Sequence, residues 1–180
     1  MKGSSVQPFL DSSVAGVMFE RGMTEQVPDT VVADAAREIV ARTAPQEMPL
    51  FRATSEAYFA DPEKALAERK PKDEMLGFGI EAAALLLTPV VIDVTRRVAL
   101  FLVAQFGDAV KKESGEAVGG IVHDLFHRGE GEAKEDVPDL TSEQLHEVRE
   151  IAYSRALELD VPEDRAGLLA DAVVGSLATD

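Results

Sequence analysis

Cysteine is absent from this chain of 180 residues. No disulfide framework, thiol nucleophile or cysteine metal cluster is therefore available, and a reducing cytoplasm is the expected setting. Positive charge is scarce, with 18 lysines and arginines against 33 acidic residues and a formal net charge of −15. Such a field repels nucleic acid unless a local basic surface overcomes it. The one dense basic cluster, ERKPK from Glu68 to Lys72, lacks the interleaved aromatics on which bases stack. No nucleic-acid partner is expected, whereas a basic partner or simple solubility accounts for the charge. The opening residues, MKGSSVQPFLDSSVAG, hold no continuous apolar run, so no secretory signal is expected there.

Long uncharged apolar runs are missing too. The most apolar stretch spans residues 82–106, yet its longest uncharged piece, Ala82 to Ile92, is too short to cross about 30 Å of hydrocarbon as a helix. In a window centred on Arg96, about ten apolar residues gain about 4–5 kcal/mol, while Asp93, Arg96 and Arg97 cost about 9 kcal/mol together. A simple span is rejected. Asp93, Arg96 and Arg97 stand at i, i+3 and i, i+4 spacing and can pair on one narrow face, with Val90, Val91, Val94, Val98, Phe101 and Leu102 covering most of the rest. The favoured reading is a central core helix. A conditional membrane-active or pore-forming protein using residues 78–106 is the alternative: two helices of an insertion hairpin with the Asp/Arg cluster at the tip. The acidic chain lacks the basic face that binds anionic lipid, so membrane action is not favoured.

What is present is helical periodicity. Val32, Ala35, Ala36 and Ile39 form one stripe of a helix that Asp29 or Thr30 caps and that ends before Pro45. A second helix is expected where Asp61 caps and Pro62 takes the first position. Between them, QEMPLFRATSEAYFA reads ambiguously, with a short helix opening near Thr54. From Met75 to Arg128 two or three helices are expected, with Pro89 kinking or breaking the first and a break near 113–116. Thr141 and Gln144 stand at capping-box spacing, before a stripe of Leu145, Val148, Ala152, Ala156 and Leu159. After a turn at DVP, Ala166, Leu169, Ala170, Val173 and Leu177 form the facing stripe of an αα-hairpin. The fold class is all-α: an irregular helical bundle with a central apolar helix pair and a C-terminal αα-hairpin. The expected division is a helical core domain over 1–128, an acidic linker over 129–140 and the hairpin over 141–180.

One segment has metal-ligand spacing. HDLFH places His123 and His127 on one helical face, resembling a degenerate form of the H-E-x-x-H motif of zinc hydrolases, and His146 could complete three ligands. Asp124 stands where that motif has glutamate and is one methylene shorter. Helix-end and core roles account for the same residues, so no metal is favoured, and a zinc-dependent hydrolase is the second alternative. GFGIEA, Gly77 to Ala82, lacks the preceding strand that a dinucleotide fold requires. No catalytic set, cofactor or small-molecule substrate is nominated.

These residues lead to a non-enzymatic adaptor, accessory subunit or self-assembling component, whose partner is another protein or a second copy. The expected binding surface is the hairpin, with Val148, Ala152, Leu169 and Val173 packing and Arg149, Arg155 and Arg165 setting orientation.

Overall fold

The computed structural model describes residues 27–69, 86–110, 115–126 and 139–178. Among these the chain forms seven α-helices, one 3-10 helix and no strand: α1 (Asp29–Thr43), the 3-10 helix (Pro45–Leu50), α2 (Phe51–Ala60), α3 (Pro62–Glu68), α4 (Thr88–Val110), α5 (Gly115–Phe126), α6 (Ser142–Glu158) and α7 (Glu163–Leu177). An all-α bundle is thus observed. Residues 70–85 and 127–138, with GFGIEA, His127 and most of the expected acidic linker, lie outside the described residues.

Helix α4 is the centre. Val90, Val91, Ile92, Val94, Val98, Ala99 and Leu102 have no exposed surface, so at 100° per residue more than half of its circumference is buried. The described part of the apolar stretch, from Leu87 to Val103, supplies core of this chain and packs against α1, α2 and α6. Helix α5 adds Val122, Leu125 and Phe126 to the same core. Asp93, Arg96 and Arg97 fall inside the continuous helix α4, not at the tip of a hairpin. Among the described residues, no helix is long and apolar enough to cross a membrane.

How α4 begins was not legible locally. Leu87, just before its first residue, offers no side-chain acceptor, and Pro89 in the first turn offers no amide. Pro89 therefore starts a helix instead of kinking one. The amides at this buried helix start are met from the 3-10 helix: Glu47, 7% exposed, accepts from Leu87 N at 2.9 and 3.0 Å, from Thr88 N at 2.8 Å and from Thr88 Oγ1 at 2.7 Å. A carboxylate at the positive end of the helix dipole gains from both the charge and the bonds.

Several other ends follow the sequence. Asp61 Oδ1 accepts from Lys64 N at 3.0 Å, and Thr141 with Gln144 closes a capping box at 2.9 and 3.2 Å. Helix α1 differs, because Pro28 precedes its first residue without a side-chain cap and Asp29 instead pairs with Arg96. The DVP turn closes by two bonds, Asp160 N to Leu157 O at 2.9 Å and Val161 N to Ala156 O at 3.0 Å. Asp160 takes the left-handed conformation this turn requires, with φ of 54°.

The hairpin stripes face inward. Ala152, Ala156, Ala166 and Ala170 are fully buried, and small side chains let α6 and α7 approach closely. Val148, Leu169 and Val173 join α1 and α4 residues in a single hydrophobic cluster, so residues expected in two separate units share one core. Replacing Leu169 by alanine is therefore expected to cost about 2–5 kcal/mol of global stability. Urea unfolding followed by both circular dichroism and tyrosine fluorescence checks this. A hairpin that melts alone, leaving the rest of the transition in place, would contradict it.

Candidate functional site

The polar atoms of this core converge on Asp93. From α2, Tyr58 donates its hydroxyl to Asp93 Oδ1 at 2.8 Å, and from α6, Arg155 Nε reaches Asp93 Oδ2 at 2.6 Å. Arg155 Nη1 also holds Glu158 at 2.8 Å. The sequence suggested that Asp93 pairs along its own helix with Arg96 and Arg97; the structure joins it to two other helices instead. Arg96 turns toward Asp29, and its guanidinium lies 5.5 Å from the Phe59 ring centre. Phe59 in turn meets Tyr58 edge-to-face, with ring centres 5.5 Å apart. Three helices are thereby registered by one carboxylate.

Tyr58 is 1% exposed. Burial first, then the charge and hydrogen bond of Asp93, hold its hydroxyl well above the ordinary phenol value, against a smaller opposing effect of Arg96. Arg155 is raised by its hydrogen bond to Asp93, against the opposing cost of its burial. Close by, Arg69 belongs to the dense basic cluster from Glu68 to Lys72, yet it is only 5% exposed. It donates Nε to Leu66 O at 2.9 Å and Nη2 to Leu159 O, so one cation serves the carboxyl ends of α3 and α6. Burial lowers its pKa, while the charges of Asp160 and Asp93 oppose that. This network orders the helices and leaves Tyr58 and Arg69 little contact with solvent.

Beside the network the surface opens. A hollow of about 280 Å³ lies between α4 and α6, lined by Arg97, Glu150, Ile151, Ser154, Arg155 and Glu158. Arg97 is exposed and makes no hydrogen bond or ion pair with any described residue. The α4 wall thus presents the exposed Arg97 guanidinium, and the α6 wall presents Glu150 and Glu158 with Arg155, whose charge is met by Asp93 and Glu158. Ile151 supplies an apolar surface, and the exposed Ser154 supplies a hydroxyl. Such a concavity can accept a side chain and orient it by charge.

The structure distributes the sequence candidates unevenly. Val148, Ala152, Leu169 and Val173 are fully buried, so a partner that used them would need the hairpin to leave the body. Arg149 binds Asp171 at 2.8 Å across the hairpin, in an exposed pair worth little to stability. Arg155 lies in both the Asp93 network and the hollow, and Arg165 is exposed on α7. His123 sits 3.3 Å from Asp124 and is half exposed, while His146 is exposed on α6. Among the described residues no group of three or more His, Asp or Glu side chains is placed to hold a metal ion. Sequence reasoning missed Glu47, Tyr58, Arg69 and Arg97 as positioned polar groups. The available signal for Arg97 was its place on the one polar stripe of an otherwise apolar helix.

The chain matches no family model, no curated protein and no solved structure.

The Tyr58 network has a pH signature. Unfolded tyrosine loses its proton near 10.0, whereas folded Tyr58 holds it to higher pH. Its contribution to stability is thus full below pH 10 and lost progressively as pH rises above it. In urea unfolding between pH 9 and 11, the native protein is expected to lose stability more steeply than Tyr58→Phe. Equal slopes would contradict the Tyr58–Asp93 contact.

Proposed function

We propose that this chain is a non-enzymatic association component, an adaptor or accessory subunit of the cytoplasm, and that its partner docks on the outer face of α6 at the α4–α6 hollow. The observation that carries the reading is the hollow itself, with the exposed Arg97 guanidinium on one wall and glutamates on the other. An exposed charge on each wall can set the orientation of a docked segment, since opposite charges across an interface fix register and speed encounter. The apolar stripes of the hairpin are spent on the core, so the binding role moves from them to this outer face. Arg155 keeps a part in the site, holding the α6 wall against α4 through Asp93.

A photo-crosslinking amino acid at Ser154, in the full chain expressed in its native cells, tests this directly. A discrete adduct is expected from position 154 and none from Glu63 on α3, which is exposed and far along the sequence. An adduct at twice the mass of the chain would make the partner a second copy. Equal smears from both positions, or no adduct from 154, would overturn the reading.

A further inference from the structure

The outer face of α6 carries a charge pattern that specifies its partner further, taking the association reading as its premise. At 100° per residue, Glu143, Glu147, Glu150 and Glu158 fall on one narrow arc, with Ser154 between them, and all four glutamates are exposed. Like charges at i, i+3 and i, i+4 repel and weaken the helix that carries them. On α1 and α2 the corresponding spacing is used favourably, in Glu38 with Arg42 at 3.9 Å and Arg52 with Glu56 at 2.9 Å. On α6 the compensation is partial: Arg155 holds Glu158 at 2.8 Å and Glu143 lies in the first turn, at the positive end of the helix dipole, whereas the middle of the ridge is left to weaker contacts. Glu143 and Glu147 pair with no described residue, and Glu150 stands 3.9 Å from Arg149, which is already held by Asp171 at 2.8 Å.

Apolar atoms border this ridge on both sides. Ile151 lies on the side of the hollow, and Leu157, 36% exposed, lies on the other. The surface thus has a strip of negative charge, two apolar margins and a hollow of about 280 Å³ with a cation, Arg97, on its far wall. We propose that the α6 ridge and the adjoining hollow bind a basic amphipathic segment of a partner protein. Its cations pair with Glu143, Glu147 and Glu150, an apolar side chain sits over Ile151, and a single acidic group meets Arg97. The net charge of −15 steers such a segment toward the chain from a distance. Arg97 supplies the polarity, because a cation placed on that wall is repelled and a carboxylate is attracted. A uniformly basic partner is therefore a poorer fit than one carrying an acid at that position.

The probe is a labelled synthetic lysine–leucine helical peptide with one glutamate, titrated into the full chain by fluorescence anisotropy. The double variant Glu147→Lys/Glu150→Lys is expected to weaken binding by about tenfold, since two attractions become repulsions. Asp34→Lys/Glu63→Lys, which changes the net charge equally on α1 and α3, is expected to stay within about twofold. When the glutamate of the peptide is replaced by lysine, Arg97→Glu is expected to bind it more tightly than the unaltered chain does. Equal losses in both double variants would reduce the effect to overall charge and overturn the proposal, as would no binding to the unaltered chain. Sedimentation showing self-association through Glu147 and Glu150 would overturn it in favour of a second copy. Crosslinks from Ser154 to a partner without a basic segment would sink this proposal and leave the association reading standing; no crosslinks would sink that reading first.

Discussion

A buried carboxylate against the first turn of α4 is the constraint on which the arrangement rests. Removing Glu47 from water costs several kcal/mol, and the placement is tolerable because four hydrogen bonds and the helix dipole act on the same two oxygens. The reverse dependence is as strong. Helix α4 enters the core with a leucine at its cap position and a proline in its first turn, so among the described residues the amides of Leu87 and Thr88 are met by Glu47 and by no neighbouring side chain. The start of the most buried helix is therefore fixed to the 3-10 helix, and through it to α1 and α2. Arg69 performs the complementary task at the other polarity, serving carbonyl ends of α3 and α6.

With α4 held, Asp93 sets how α6 lies against it. Tyr58 and Arg155 approach the two oxygens of one carboxylate from different helices, so a rotation of α6 would break a charged bond and leave charge poorly solvated. That register places Ile151 and Ser154 opposite Arg97 and opens the hollow. The outer face of the hairpin is thus a consequence of its inner face. The apolar stripes bury, and the polar residues left outside are presented on a helix whose orientation is fixed. A binding surface built on a rigid element loses little conformational entropy on association.

The parts of this architecture legible in the sequence are those whose physics is local. The stripes of α1, α6 and α7, the cap at Asp61 and the capping box at Thr141 all lie within a few residues of the signals that announce them. The long apolar stretch was readable as core because Asp93, Arg96 and Arg97 share one side of a helix. Their partners were not readable. Tyr58 stands 35 residues from Asp93, Arg155 stands 62 away, Glu47 is 40 from Leu87, and Arg69 is 90 from Leu159. A glutamate between two prolines gives no local reason to be buried. Likewise, the hairpin residues chosen as a binding surface were chosen for an apolar stripe, and a stripe does not say whether it packs on its own chain or another. The candidate site emerged only when α4 and α6 were side by side.

Native-state hydrogen exchange of the Leu87 and Thr88 amides tests the central constraint most directly. Among the described residues the acceptor of both amides is Glu47, so the protection expected of them comes from that carboxylate. In the unaltered protein they should exchange nearly as slowly as amides in the middle of α4. In Glu47→Ala they should lose protection first, with a global loss of about 1–3 kcal/mol. Fast exchange in the unaltered protein, or protection that survives the substitution, would show that α4 is anchored by something other than Glu47.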